Sequence, residues 1–302
     1  MVVCVSEGGE VKGAWGLGLG TWGLGLGTWG SCLVAAMLLS GVLVFAQAPN
    51  PKPQAPAQAP SPKPQVPGFV EIPAGPFVMG ADRAVQPMAF DNERWSPGQA
   101  EGTVDLPAFF IARREVTVAE FAAFVKATQW PADARALSAP PDHPVAHVSW
   151  PDAIAYCRWL EGAMKGTLPD NWRVMLPTEA QWEKAARGGD RRQFPWGDQP
   201  RRDRANFNAK STVPAGSLAC PECANGLLDM AGNVWEWTRS PYQPYPYDES
   251  NDRANLDQDA LWVMRGGGFT DGPQLIRTSV RGAAEPGARR PFIGFRVAIS
   301  SR

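Results

Sequence analysis

Hydrophobic positions fall at helical spacing in three stretches of the chain. After Thr117, with Glu120 three residues on as its capping-box partner, Val118, Phe121, Phe124 and Val125 line one face, which predicts a first helix. Ser149 caps a second, with Pro151 and Asp152 in its first turn and Ala153, Tyr156, Cys157 and Leu160 on the buried side. Cys157 thus reads as a packed core thiol. Thr178 and Gln181 open a third helix, where Trp182, Ala185 and Ala186 face inward and Gly188 supplies a left-handed stop. Strand patterning is weaker. Phe69 to Met79 reads as a strand or a hairpin about Ala74-Gly75, and Trp262 to Arg265 and Phe295 to Ile299 are further strand candidates. Long Gly-, Pro- and Asn-punctuated loops join them, and these need aromatic packing, a metal ion or a disulfide to stay ordered.

The pattern differs in the first third. No charged residue lies between Lys12 and Lys52, and within that gap Leu33 to Ala46 is an apolar run ending in Ala46-Gln47-Ala48. Such a run suits a signal peptidase and is short for a membrane span. It predicts a secreted, periplasmic or cell-surface protein, bound to a membrane only if the segment stays uncleaved. Upstream, Gly16 to Trp22 repeats unchanged as Gly23 to Trp29, which has neither helical nor strand logic and points to a start codon placed too early. Residues 49–67 are Pro-, Ala- and Gln-rich, an extended tether in composition. The organisation expected is therefore 1–48 as extension and signal peptide, 49–67 as linker, and 68–302 as the folded domain.

A net charge of −1 implies no basic surface and so no nucleic-acid partner. The 13 Trp beside only 4 Tyr supply core where regular structure is sparse. Cys220-Pro-Glu-Cys223 can be a local disulfide, half of a zinc site or a redox pair. No second Cys pair and no βαβ pattern accompany it, so an exported compartment favours the structural disulfide.

Further motifs follow in a fixed order. They are Phe77-Val78-Met79-Gly80, Glu115-Val116-Thr117, His143-Pro144-Val145, Leu176-Pro177-Thr178-Glu179-Ala180-Gln181-Trp182-Glu183, Phe194-Pro195-Trp196-Gly197-Asp198, Gly226 to Thr238 (GLLDMAGNVWEWT), Arg265-Gly266-Gly267 and Gly294-Phe295-Arg296. In this order they resemble the formylglycine-generating-enzyme (sulfatase-modifying factor) family, from about Gly68 to the C-terminus. The resemblance implies an α+β, C-type-lectin-like fold with little regular secondary structure. Fold alone assigns no chemistry.

Oxidase members of that family bind copper(I) through two cysteines that follow a Gly-Gly-Ser segment. Those positions are Asp271 and Ile276 here, Gly268 replaces the serine, and no Cys follows Cys223. Oxygen and aliphatic side chains are poor copper(I) ligands, so copper is not expected and no catalytic residue is assigned. A second branch, the sulfoxide synthases of thiol-histidine biosynthesis, holds iron with three histidines and an added helical domain. This chain shows no such domain and has only His143 and His147. The resemblance also implies calcium in the loop Ala231 to Glu236, through the Glu236 carboxylate and the carbonyls of Ala231, Gly232 and Val234, with an ion pair of Glu236 as the alternative. Trp237, Asp271, Gln274, Arg277 and Arg281 are the candidate ligand-binding residues on a concave surface, the alternative being salt bridges to Glu285 or Asp257.

Three functions compete. The first is a non-catalytic exported domain that binds a protein or small-molecule ligand. The second is an oxidase or other enzyme with an unrecognised site, and the third a diversified C-type-lectin-fold ligand-binding protein, for which residues 268–293 show little Asn or Tyr enrichment.

Overall fold

The computed structural model describes residues 66, 68–252, 256 and 259–301. The signal segment, the tandem repeat and nearly all of the tether lie outside the described residues, as does Asp257. In chain order the strands are β1 Phe69–Ile72, β2 Gly75–Gly80, β3 Glu101–Leu106, β4 Phe109–Ala112, β5 Trp172–Met175, β6 Trp235–Pro241, β7 Trp262–Arg265, β8 Gly282–Ala284, β9 Ile293–Gly294 and β10 Ala298–Ser301. The helices are α1 Val118–Thr128, α2 Trp150–Ala163, α3 Glu179–Arg187 and the single turn α4 Glu249–Asp252. None of these helices is long and apolar enough to cross a membrane.

All three long helices start where their caps predict. Thr117 Oγ1, Ser149 Oγ and Thr178 Oγ1 each accept from the backbone N–H three residues on, and Glu120, Asp152 and Gln181 reach back to the cap N–H. Gly188 ends α3 with φ 64° and ψ −149°, a positive-φ turn that is not the left-handed helical conformation expected.

Strands organise into one antiparallel sheet in the order β1-β4-β10-β5, a hairpin β2-β3, and a second sheet β8-β7-β6-β9 whose β6/β9 pair is parallel. Two expectations change. Residues 69–79 break into β1 and β2, but each pairs elsewhere, β1 with β4 and β2 with β3, so no hairpin turns at Ala74-Gly75. Of the expected strand at 295–299 only Ala298 and Ile299 are strand, in β10, because Phe295 to Val297 cross to it from β9 in the other sheet. The helical stripes meet in that space: Tyr156 of α2 lies 5.3 Å from Phe295 and 5.7 Å from Phe124 of α1, ring centre to ring centre. A second core gathers Phe77, Met79, Phe109 and Ile111 against Trp182 and Ala186 of α3. Cys157 is buried in the first core, and Cys220 is joined to Cys223.

Candidate functional site

The motifs of the C-terminal half converge on buried charge. From α3, Glu183 accepts from Gly80 N and pairs with Arg187 of its own helix and Arg265 at the end of β7. Glu179, one turn earlier, is held by Arg281 Nε at 2.5 Å and Nη2 at 2.9 Å. Arg281 also lies over the Tyr245 ring, 3.9 Å from its centre. Glu93 takes Arg277 Nη1 and Nη2 at 2.8 and 2.6 Å and the Ser279 hydroxyl at 2.6 Å. A charge removed from water costs several kcal/mol unless it is paired and its remaining hydrogen-bonding positions are filled. The Glu93–Arg277 and Glu179–Arg281 pairs meet that condition with main-chain or hydroxyl partners, whereas Arg187 Nε and Nη2 and Arg265 Nε are buried without a hydrogen bond.

The candidate ligand residues consequently sit elsewhere than on an open concave surface. Arg277 and Arg281 are buried, and their partners are Glu93 and Glu179, not Glu285, which is exposed. Trp237 is fully buried and donates its indole N–H to Val148 O. Asp271 accepts from Trp235 Nε1 at 2.7 Å and from Gly268 N at 2.8 Å, and burial raises its carboxyl above the usual range. Gln274 alone of the five is exposed, with its amide on Met88 O. Nothing local marks Glu93 as the partner of Arg277, since 184 residues separate them.

The positions that carry copper ligands in the oxidases are likewise internal. Asp271 braces the 268–271 turn, and Ile276 packs with Phe194 and Phe207 in a third small core. Cys220 and Cys223 are bonded to each other, and burial pushes the Cys157 thiol far up, away from thiolate. Among the described residues no thiolate pair is available, so these residues do not fit copper(I). Among the described residues no group of three His, Cys, Asp or Glu is placed to hold a metal. His143 Nδ1 meets Thr212 Oγ1 at 2.8 Å, while the His147 main chain is tied to Arg290 O.

The loop from Ala231 to Glu236 is a hydrogen-bonded hub. Gly232, at φ 76°, passes so close to Asn206 that a Cβ there would lie 2.3 Å from its carbonyl oxygen. The Asn233 amide gives one hydrogen to Glu115 Oε1 and receives Val213 N and Asn206 Nδ2 on its oxygen. Glu236 carries Arg296 on both oxygens and the Trp182 indole N–H on one. A calcium ion there would have to displace a guanidinium that is itself fixed by four backbone carbonyls, so Ala231, Gly232, Val234 and Glu236 as arranged do not form a calcium cage. Beside them Glu115 and Asp229 are buried together. Burial and the charge of Asp229 push Glu115 well above the carboxylate range, and burial raises Asp229 too. Glu115 Oε2 and Asp229 Oδ1 are buried without a donor, the condition under which two neighbouring carboxyls resist ionising together.

A cavity of about 610 Å³ borders this network, against Arg113, Glu115 and Leu228. A cavity of about 650 Å³ is bounded by α1, α2 and β7, with Trp130, Trp150, Trp159 and Trp262 in its wall. The Trp count signals aromatic packing, but periodicity cannot bring residues 130, 150–159 and 262 to one place.

A family profile described as sulfatase-modifying factor enzyme 1-like domain matches residues 54–301. The formylglycine-generating enzyme of Streptomyces coelicolor is 31% identical over 83% of this chain and 95% of its own length. Hercynine oxygenase of Mycolicibacterium smegmatis is 33% identical over 76% of this chain, which spans only 60% of that longer protein. The solved structure of PvdO from Pseudomonas aeruginosa superposes with a TM-score of 0.61 at 28% identity, covering 77% of this chain and 94% of that one.

Proposed function

Because this chain belongs to the family of sulfatase-modifying factor enzyme 1-like domains, with their formylglycine-generating-enzyme-type fold, we propose that it uses that fold as an exported, non-catalytic binding domain. One observation carries the reading. The two positions that would supply copper thiolates hold Asp271 and Ile276, and both side chains are committed to internal structure. Function follows the site and not the fold. The apolar run at Leu33 to Ala46 and the Pro-rich stretch after it support export on a tether.

Relatives named as enzymes make the opposing outcome concrete. The full chain is incubated in air with copper(I) and a Cys-containing sulfatase-type peptide, and in parallel with iron(II), a thiol and hercynine. Unchanged peptide mass and no protein-dependent oxygen uptake are expected. Formylglycine in the peptide, or oxygen uptake with either compound, would overturn the proposal.

A further inference from the structure

We propose that the tryptophan-walled cavity between α1, α2 and β7 is a binding site for a small aromatic anion. The proposal rests on reading the chain as a binding domain and gives that domain a ligand class. At about 650 Å³ the cavity has the size of a small-molecule site. Its floor is the Trp150–Trp262 pair, stacked 3.9 Å apart with planes 18° from parallel. Its side is a cluster in which the Phe124 ring touches both Trp130, at 5.9 Å, and Trp159, at 5.8 Å. Trp130 and Trp159 are only half-buried, so each offers a ring surface to a guest.

The wall is fixed before any ligand arrives. Trp130 Nε1 donates to Asp152 Oδ1 at 2.9 Å, and that carboxylate is anchored by Ser149 N and Arg289. Trp150 Nε1 donates to Thr238 O at 2.8 Å. With these two indole N–H groups satisfied inside the protein, Trp130 and Trp150 turn carbon and π-surface to the cavity, Thr128 and Arg158 add polar groups to its wall, and the two fixed rings have little freedom left to lose on binding.

Charge selects among flat apolar guests. Asp152 and Arg289 neutralise each other, whereas Arg158, exposed on α2 at the cavity edge, makes no salt bridge with any described residue. An aromatic body stacked on Trp130 or Trp159 would leave a carboxylate in reach of that guanidinium, whose planar fork suits it. A cation of the same shape would meet repulsion.

The test uses the full chain and three indoles of matched shape, followed by calorimetric titration: indole-3-acetate, indole-3-acetamide and tryptamine. The acetate should bind tightest and tryptamine weakest. Arg158→Gln should weaken the acetate about threefold, the size of an exposed ion pair, and leave the amide within about twofold. Ala155→Leu, which puts a larger side chain into the cavity, should weaken all three about tenfold or more. Because Arg158 is exposed and lies outside the salt bridges of the described residues, its variant reports even if the cavity-filling variant fails to fold. No binding of any indole at about 1 mM would overturn the proposal. So would equal affinity of acetate and amide, or affinities that neither substitution changes. Oxidation of the Cys peptide by the same preparation would sink the non-catalytic reading while leaving the cavity result intact, so the two failures are distinguishable.

Discussion

Glu236 holds Arg296 through both carboxylate oxygens, 2.6 Å from Nε and 2.6 Å from Nη2, where neither side chain reaches solvent. The same guanidinium donates to the carbonyls of Ala112, Arg113, Leu228 and Asp229, so it fastens β4, the 228–229 turn and β6 together. Arg296→Met should therefore cost about 3–5 kcal/mol, the loss typical of leaving a buried charge unpaired. Adding Glu236→Leu should recover only part of this, because Trp182 then loses its acceptor and the four carbonyls stay without the arginine donor. Urea denaturation of the two variants checks both numbers.

The Glu115–Asp229 pair predicts a pH dependence with a definite sign. Both folded-state pKa values are raised, so between the ordinary carboxylate range and those values the folded protein binds more protons than the unfolded chain. The stability this pair contributes is full at acid pH and is lost as pH rises through the raised values. Asp229→Asn can keep the acceptor for Gly216 N and offer a hydrogen to Glu115. Relative to the natural protein it should gain stability from pH 5 to pH 8, by about 1.4 kcal/mol for each tenfold difference in proton affinity, folded against unfolded, that the substitution abolishes. Urea midpoints at the two pH values would sink the idea if the difference were flat or reversed.

At Gly232 the close approach to Asn206 and the positive φ act in the same direction. Gly232→Ala should destabilise by about 3 kcal/mol, combining left-handed backbone strain with displacement of a backbone strand segment. A thermal midpoint unchanged from the natural protein would show that the loop gives way freely.

Metal removal offers a simpler check. Since Glu236 is committed to Arg296, dialysis against EDTA should leave the thermal midpoint where it was, and added calcium should not raise it. A calcium-dependent midpoint, with calcium found in stoichiometric amount by elemental analysis, would mean that the arginine yields its place to the ion.

Local signals made the helices legible, because a capping box is complete within four residues: Thr117 with Glu120, Ser149 with Asp152, Thr178 with Gln181. Strand pairing was less so. β1 reads as apolar, but nothing within it says that its partner is β4 and not β2. The candidate site was legible in its losses, since the missing cysteines are visible by position. Its apparent gains misled: Arg277 and Arg281 resemble ligand contacts until Glu93 and Glu179 are brought to them from more than 100 residues away. Charge pairing over such distances leaves no trace in spacing, and neither does a cavity assembled from α1, α2 and β7.

The placement of β10 bears on how the domain comes to be folded. This strand lies between β4 and β5, and Arg296 just before it reaches Ala112, 184 residues back. During synthesis β4 and β5 emerge with the seat between them empty, and the first sheet stays in two halves until residues 296–301 arrive. Folding from the N-terminus onward cannot complete the core piece by piece. A sheet whose central strand follows both of its neighbours by more than a hundred residues cannot close until that strand is in place.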